Sequence, residues 1–152
     1  MTEHVLYTDG SCLSNPGPGG WAFRCIYQNK PVFESKGRNP KTTNNIMELT
    51  AVIKGLKKLL EIEITSDICV HTDSNYVCKG ITSWIHNWKK NNWKTSAGIS
   101  VKNIELWKEL DELVQNFKNL SWHWVKAHNG NFHNEYVDSL ARSEARSFIS
   151  FV

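Results

Sequence analysis

The stretch Ile68-Cys69-Val70-His71-Thr72-Asp73-Ser74 is the most informative one for predicting the fold of this chain. Its short apolar run is typical of a buried strand. Before it, an apolar stripe through Met47, Val52 and Leu56 predicts a helix that begins after Thr43, which is a suitable N-cap. A strand, a helix and another strand in this order indicate a crossover connection, so we expect the strand of this stretch to lie parallel to a neighbour.

The segments on either side of this unit complete the pattern. Before it, alternating segments at 5–12, 21–27 and 32–37 predict an antiparallel meander, with turns at 13–20 and 28–31. After it come two short helices, a longer helix, a fifth strand and a last helix, predicted at 74–80, 84–90, 101–117, 120–125 and 134–148. The order predicts an α/β domain with a mixed five-stranded sheet, three antiparallel strands followed by two parallel ones, and helices on both faces.

Composition excludes several classes of protein. A length of 152 residues predicts one domain over residues 1–152. No apolar run approaches the roughly 20 residues that a membrane helix needs, and residues 1–5 do not resemble a signal peptide. The four cysteines are scattered without C-x-x-C spacing, which favours free thiols over a zinc or redox site. We therefore expect a cytoplasmic monomer without membrane association.

Positive charge is concentrated in one segment. The net charge is only +3, but the segment from Lys79 to Lys102 contains five lysines and no acidic residue. A basic segment on a mildly acidic body indicates a local anionic partner, such as a phosphate backbone.

Two strand ends carry the same short motif. Tyr7-Thr8-Asp9-Gly10-Ser11 and His71-Thr72-Asp73-Ser74 both end an apolar strand in Thr-Asp. Open α/β sheets usually place their sites at the carboxyl ends of strands, so we expect the two aspartates to lie close together. Like charges held together require a cation or a shared proton, and hard divalent ions are the natural partners of carboxylates.

Two further acids are ambiguous from the pattern alone. Glu48 is flanked by Met47 and Leu49 and could point toward the sheet, although a solvated helix glutamate is the commoner case. Asp138 lies in the second turn of the last predicted helix, where an acid is also favoured by the helix dipole.

Six blocks follow one another along nearly the whole chain. They are Tyr-Thr-Asp-Gly-Ser-Cys-Leu-Ser-Asn-Pro-Gly-Pro-Gly-Gly (7–20), Thr-Thr-Asn-Asn-Ile-Met-Glu-Leu (42–49), Thr-Asp-Ser-Asn-Tyr-Val (72–77), Trp-Ile-His-Asn-Trp-Lys-Lys (84–90), Trp-Val-Lys-Ala-His-Asn-Gly (124–130) and Asn-Glu-Tyr-Val-Asp-Ser-Leu-Ala-Arg (134–142). Together, and in this order, they resemble type 1 ribonuclease H, particularly its bacterial form. The resemblance implies a ribonuclease H-like fold. It also implies endonucleolytic hydrolysis of the RNA strand of RNA/DNA hybrids, largely independent of sequence, giving 5′-phosphate and 3′-hydroxyl ends.

The resemblance implies a catalytic metal site formed by Asp9, Glu48, Asp73 and Asp138. These carboxylates would hold two Mg²⁺ ions, for which Mn²⁺ could substitute, around the scissile phosphate. A lone loop histidine is usually solvated surface, but His128 matches the family's mobile histidine, and we expect it to act in proton transfer or product release. The family usually has glycine where this chain has Ala127, which restricts φ and predicts a stiffer loop.

The resemblance also implies residues that bind the hybrid. Asn15, Asn44 and Asn45 would contact the minor groove, where the 2′-hydroxyl distinguishes RNA from DNA; turn formation and helix capping are equally common uses of asparagine. Thr43 and Asn103 match a pocket for a DNA phosphate. Lys41 stands where the family often has arginine, whose bidentate fork lysine lacks.

A segment rich in tryptophan and lysine completes the implied binding surface. Trp84 and Trp88 are four residues apart, so they share one helix face. Together with Tyr76 they would form a groove for the DNA strand. The adjoining basic protrusion would contain Lys89, Lys90 and Lys94. Tryptophans at such spacing can instead pack the core, which we expect for Trp93.

Other functions share parts of this pattern. A catalytically dead hybrid-binding module would not need the intact acidic quartet. A nuclease or integrase of the same broad fold that acts on DNA would share the acids, but not the Trp-Lys protrusion or the Asn44-Asn45 pair. A purely structural α/β domain leaves the two Thr-Asp strand ends unexplained.

Overall fold

A mixed sheet of five strands forms the centre of the fold, in a computed structural model that describes residues 3–127 and 130–149. The strands are β1 (His4–Cys12), β2 (Gly17–Tyr27), β3 (Lys30–Thr42), β4 (Ser66–Thr72) and β5 (Lys118–Trp124). They lie side by side in the order β3-β2-β1-β4-β5. The first three are antiparallel, whereas β4 pairs in parallel with β1 and with β5. The predicted sheet and its two parallel additions are confirmed.

Five α-helices flank this sheet. They are α1 (Asn44–Glu61), α2 (Asn75–Lys79), α3 (Ile85–Lys90), α4 (Ile104–Val114) and α5 (Phe132–Arg146), with a short 3₁₀ turn at Ser147–Ile149. The helix α1 is the predicted crossover between β3 and β4. Its predicted N-cap is confirmed, because the Thr43 hydroxyl accepts a hydrogen bond from the backbone N–H of Ile46 at 3.2 Å.

Each face of the sheet buries a separate apolar cluster. On one face, Leu6 and Val70 from the strands pack with α1 and α4, including Leu56 and the fully buried Trp107. On the opposite face, α5 packs against β1 and β2. The alternation of side chains along each strand produces both layers, since neighbouring residues of β1 point to opposite faces. Helices therefore cover both faces, as the sequence predicts.

One glycine-based prediction at an element end is wrong, and another is incomplete. The segment 13–20 was expected to be a turn throughout, but β2 already begins at Gly17. At Gly20 the strand passes so close to α5 that a Cβ would collide with the Ala141 carbonyl, so this glycine serves close packing. The helix α2 does end at Lys79 with Gly80 as its C-cap, but Gly80 does not end the helical path, because the chain continues through a π-helical turn, Gly80–Trp84, into α3.

Two other elements differ in length from their predictions. β3 extends through Thr42 instead of ending at residue 37, and it tolerates Pro40 because it lies at the edge of the sheet. The helix predicted at 101–117 spans only Ile104–Val114. It starts late because Asn103 adopts a left-handed conformation, with φ of 60°. The apolar periodicity continues beyond both ends of this helix, because Val101 before it and Phe117 after it also pack against the core.

None of the helices in the part of the chain that the structure describes is long and apolar enough to cross a membrane.

Candidate active site

Asp9 and Asp73 lie just beyond the last paired residues of the parallel strands β1 and β4: Asp9 is inside β1, three residues before Cys12, and Asp73 directly follows β4. The pairing of β1 with β4 puts Tyr7 opposite His71, and the same offset puts Asp9 opposite Asp73. The backbone N–H of Gly10 donates to Asp9 Oδ1 at 2.9 Å and orients that carboxylate. The parallel strands thus create the proximity that the repeated Thr-Asp motif predicts.

Glu48 reaches the same place from α1, and Gly10 makes this possible. A Cβ on Gly10 would collide with the backbone of Met47 and Glu48, so only a glycine lets the helix approach β1 this closely. Glu48 is consequently 5% exposed and points toward the strand ends. Gly10 has no predicted role, although a glycine directly after Asp9 was a signal in the sequence.

These three carboxylates form one compact cluster. One oxygen from each of Asp9, Glu48 and Asp73 lies within 4.8 Å of the oxygens chosen from the other two. Asp9 is 2% exposed, whereas Asp73 is half-buried. Among the described residues, neither Asp9 Oδ2 nor Glu48 Oε1 has a hydrogen-bond donor, although both atoms are buried. Buried carboxylate oxygens normally have such a donor.

Burial and mutual repulsion both disfavour ionisation in this cluster. Burial raises the pKa of Asp9 well above its ordinary value, and the charges of Glu48 and Asp73 raise it further. Burial likewise raises the pKa of Glu48, with the charge of Asp73 as the next cause. Without a counter-ion, these carboxyl groups therefore retain protons at a pH where solvated carboxyl groups have lost them.

The ligand atoms of this cluster fit a hard divalent cation. All of them are carboxylate oxygens, at separations that one ion can bridge. Two oxygens of the cluster are also buried without a hydrogen-bond donor among the described residues. A bound cation would supply the missing partner for both oxygens and remove the repulsion that raises the pKa values.

Asp138 approaches this cluster from α5. After burial and the charges of Glu48 and Asp73, the carboxyl group of Asp138 also raises the pKa of Asp9. Asp138 also forms an ion pair with Arg142 at 3.2 Å, one helical turn away. It does not belong to the group of three whose oxygens lie within 4.8 Å. The structure thus brings the fourth predicted acid to the edge of the cluster.

The predicted minor-groove asparagines lie together beside the carboxylates. Asn15, in the turn between β1 and β2, accepts a hydrogen bond at Oδ1 from the backbone N–H of Asn44 at 3.1 Å. Asn44 and Asn45 are exposed in the first turn of α1, the helix that carries Glu48. Thr43 caps this helix, and Lys41 is exposed at the end of β3. The hydrogen bond between Asn15 and Asn44 therefore holds the β1–β2 turn against the first turn of α1, so that the three asparagines share one surface.

Tyr76 is the centre of a second predicted binding region. Its hydroxyl oxygen accepts two hydrogen bonds, from Asn103 Nδ2 at 3.1 Å and from Trp107 Nε1 at 2.9 Å. A phenol that accepts twice keeps its own proton for donation to another group. Tyr76 and Asn103 are predicted site residues. Trp107 is not, because in the sequence it fits the apolar stripe of the helix and has no other signal.

The tryptophans of the basic segment are exposed to different degrees. Trp84 is 37% exposed, and its ring meets Tyr76 edge-on with centroids 5.9 Å apart. Trp88 is half-buried and also packs edge-on against Trp107, at 5.3 Å. Trp93 packs against the core, as predicted. We define the aromatic groove as the open cleft of about 570 Å³ lined by Trp84, Asn87, Trp88, Asn91, Lys94, Thr95 and Ser96.

The three predicted lysines of this surface are not equivalent. Lys89 forms an ion pair with Asp111 of α4 at 3.3 Å, so one acid outside the basic segment partly neutralises it. Lys90 and Lys94 are exposed. Lys94 also lines the aromatic groove.

The family model of RNase H matches residues 1–146. The chain belongs to the ribonuclease H family. Its sequence is also 52% identical over 146 residues to the ribonuclease H of Ehrlichia ruminantium (strain Gardel), a match that covers 95% of each chain. The resemblance seen in the six sequence blocks is thereby confirmed, and so is the prediction that the chain is an enzyme of this family.

Solved structures of the ribonuclease H family share this architecture. LC9-RNase H1, described as a type 1 RNase H with the type 2 active-site motif, superimposes with a TM-score of 0.85 at 31% identity. That match covers 96% of this chain and 73% of the other. LC11-RNase H1, solved in complex with an RNA/DNA hybrid, superimposes with a TM-score of 0.75 at 20% identity, and the match covers 97% of this chain and all of the other. At that identity the likeness shows the fold alone.

His128, the predicted mobile histidine of the family motif, lies outside the described residues. The described chain reaches Ala127 and resumes at Gly130, shortly before α5. The role predicted for His128 therefore stays a prediction.

Proposed function

We propose that this chain is a divalent-metal-dependent endonuclease that hydrolyses the RNA strand of RNA/DNA hybrids, leaving 5′-phosphate and 3′-hydroxyl ends. The observation that carries the proposal is the cluster of Asp9, Glu48 and Asp73, with oxygens within 4.8 Å of one another and two buried oxygens that have no hydrogen-bond donor among the described residues. Membership of the ribonuclease H family supports this reaction over other metal-assisted hydrolyses.

In this proposal Asp9, Glu48, Asp73 and Asp138 hold two Mg²⁺ ions, and Mn²⁺ can replace them. When bound, such a pair of ions activates the attacking water and stabilises the leaving 3′-oxygen of an in-line displacement. The chain's own contribution is preorganisation, because the two strand ends and α1 fix the carboxylates before substrate arrives. His128 transfers a proton or assists product release.

Selection of the hybrid is assigned to the surfaces beside the cluster. Asn15, Asn44 and Asn45 recognise the minor groove, where amide groups can both donate to and accept from a 2′-hydroxyl. Their position on the turn and helix next to Glu48 supports this assignment.

The DNA strand is assigned to the aromatic groove and the phosphate pocket. The free hydroxyl proton of Tyr76 suits donation to a phosphate, and Trp84 offers an exposed ring for packing on sugars. The ring of Trp88 lies next to that of Trp84, with centroids 6.0 Å apart. The phosphate-binding residues in this proposal are Lys41, Thr43, Asn103, Lys89, Lys90 and Lys94. Since phosphate contacts carry no sequence information, cleavage should be largely sequence-independent.

Cleavage of three matched duplexes tests the proposal. An RNA/DNA hybrid, an RNA duplex and a DNA duplex of one sequence are incubated with the chain, with Mg²⁺ or with EDTA. We expect cuts only in the RNA strand of the hybrid and only with Mg²⁺, with ends that a ligase requiring 5′-phosphate accepts. Hybrid binding without cleavage at excess enzyme would indicate an inactive binding module. Equal cutting of the DNA duplex would indicate a DNA nuclease.

We further propose that the chain acts as a cytoplasmic monomer with one domain over residues 1–152. Sedimentation with and without a short hybrid tests the oligomeric state, and a dimer that persists at nanomolar concentration would contradict it.

A further inference from the structure

The peptide of Asp73 has an unusual hydrogen-bond partner. The pairing of β4 with its neighbours ends at Thr72, whose carbonyl accepts the backbone N–H of Val125 at 2.9 Å. The next carbonyl, that of Asp73, accepts a hydrogen bond from the indole Nε1–H of Trp124 at 3.0 Å. A side chain from β5 therefore extends the connection between the two strands by one residue, to the acid itself.

Burial does not account for the placement of Trp124. Its side chain stays 43% exposed, whereas Trp107 of the same fold is completely buried. Its neighbour on the same face of β5, Trp122, packs partly buried against the core. The exposed indole of Trp124 thus contributes less packing than the other two, and the hydrogen bond to Asp73 is its distinguishing contact.

The position of Asp73 matters to the whole cluster. Asp73 is half-buried, and one of its carboxylate oxygens lies within 4.8 Å of an oxygen of Asp9 and of one of Glu48. It sits in the turn between β4 and α2, beyond the ladder that fixes Tyr7 opposite His71. Within this turn the backbone N–H of Ser74 donates to Thr72 Oγ1 at 3.0 Å, and a hydrogen bond to the Asp73 peptide itself adds a second restraint next to the carboxylate.

We propose that Trp124 is a positioning residue, which fixes Asp73 for divalent-metal binding through the hydrogen bond from its indole to the Asp73 carbonyl. This inference rests on the proposed function, because it assumes that Asp73 is a metal ligand. Loss of one neutral hydrogen bond typically changes an equilibrium by about threefold to tenfold, so the effect should be of that size.

The test compares Trp124→Phe with Trp122→Phe, a matched change on the same strand. Mn²⁺ binding is measured by calorimetry without nucleic acid, and thermal unfolding is followed in EDTA. We expect Trp124→Phe to bind Mn²⁺ about threefold to tenfold more weakly while its metal-free Tm falls by no more than about 5 °C, the loss expected for one hydrogen bond. Trp122→Phe should lose core packing and lower Tm, yet bind Mn²⁺ like the parent.

Activity provides a second readout. With hybrid substrate, Trp124→Phe should be slow at low Mn²⁺ and recover toward the parent's kcat at high Mn²⁺. Unchanged Mn²⁺ affinity in Trp124→Phe would overturn the inference, as would a reduced kcat that excess Mn²⁺ does not restore. A parent chain that binds Mn²⁺ but does not cut the hybrid would refute the proposed function and leave the affinity comparison valid.

A closer isostere keeps the test decisive if the phenylalanine variant does not fold. Replacement of Trp124 by β-(3-benzothienyl)alanine preserves ring size and removes only the N–H group. The same loss of Mn²⁺ affinity is expected, and an affinity equal to that of the parent would overturn the inference.

Discussion

The carboxylate cluster and the aromatic groove lie in the same molecule but differ in how their polar atoms are satisfied. In the cluster, Asp9 and Glu48 are buried and each has an oxygen without a hydrogen-bond donor in the part of the chain that the structure describes, and the negative charge of Asp73 disfavours ionisation of both. Around the groove, the Tyr76 hydroxyl already accepts two internal hydrogen bonds. The cluster contains carboxyl groups that burial and repulsion disfavour as ions, whereas the Tyr76 hydroxyl is held by internal hydrogen bonds and keeps one donor, its own proton, for a ligand.

This difference indicates a division of work. An uncompensated buried cluster costs folding free energy unless a cation joins it, so it is expected to bind metal and to carry the chemistry. A surface whose side chains support one another can receive a nucleic acid without rearrangement. Substitutions in the cluster should therefore alter catalysis and stability in opposite directions, whereas substitutions around the groove should alter substrate binding.

The largest expected effect comes from Asp9→Asn. It removes one carboxylate from the cluster but leaves the groove intact, so cleavage should fall by at least about 1,000-fold while hybrid affinity changes by less than about threefold. Single-turnover cleavage and fluorescence anisotropy, both in Mg²⁺, measure the two quantities. Near-normal cleavage would refute the assignment of Asp9 as a metal ligand.

The same variant should gain stability without metal. Since the pKa of Asp9 is raised in the folded chain, mainly by burial, the folded state binds more protons than the unfolded state above pH 4, and stability falls as pH rises. Asn cannot ionise, so Asp9→Asn should unfold at a higher Tm than the parent in EDTA, by about 3 °C or more at pH 7.5 and by less at pH 5.

Comparing Asp9→Asn with the parent at each pH cancels the contribution of His71 to stability, which changes with pH in the opposite direction to that of Asp9. Burial lowers the pKa of His71 to about 4, so His71 destabilises the fold as pH falls from about 6.5 toward that value in both chains. Added Mg²⁺ should raise the Tm of the parent and so reduce the difference in Tm between Asp9→Asn and the parent. A gap that does not change with pH or Mg²⁺ would contradict the account of the cluster.

A smaller effect is expected in the aromatic groove. Trp84→Ala removes an exposed ring and should raise KM for the hybrid by about tenfold, with kcat within about twofold of the parent. Ile99→Ala removes an exposed apolar side chain from the neighbouring loop and serves as the control. Steady-state kinetics at saturating Mg²⁺ measure both. A reduced kcat with an unchanged KM would mean that Trp84 acts on the chemical step.

The smallest effect separates two adjacent lysines. Lys90 is exposed, whereas Lys89 is paired with Asp111 at 3.3 Å. If Lys90 neutralises one phosphate, Lys90→Ala should reduce the slope of log Kd against log salt by about 0.9, and Lys89→Ala should reduce it less. Anisotropy titrations from low to moderate salt measure the slopes. A larger change for Lys89 would show that its ion pair opens on binding.

The sequence predicted the sheet better than it predicted the ends of its elements. Alternating and helical apolar periods depend on which side of an element is buried, and this information is local. Element ends depended on contacts from elsewhere, such as the close approach of α5 to Gly20 and of Trp107 to Gly80. Glycine signals a turn in the sequence, but here both glycines serve tight packing instead.

The candidate site shows the same limit. Asp9 and Asp73 could be predicted from repeated strand ends, because strand pairing alone brings them together. Glu48 and Asp138 could be predicted only by resemblance, since their positions depend on how α1 and α5 pack on the sheet. Gly10, Trp107 and Trp124 received no functional role at all, because each one acts on a residue distant in sequence.

The order of strands and helices, the family and the residues of suitable chemistry could be read from local sequence. The folded chain was needed to show which buried oxygens lack a donor among the described residues, which lysine is already paired and which tryptophan is hydrogen-bonded to Asp73. These two kinds of information differ in the distance over which they act. Backbone periodicity is set by neighbours a few residues away, whereas desolvation and charge repulsion depend on atoms that meet only after the sheet and helices have packed.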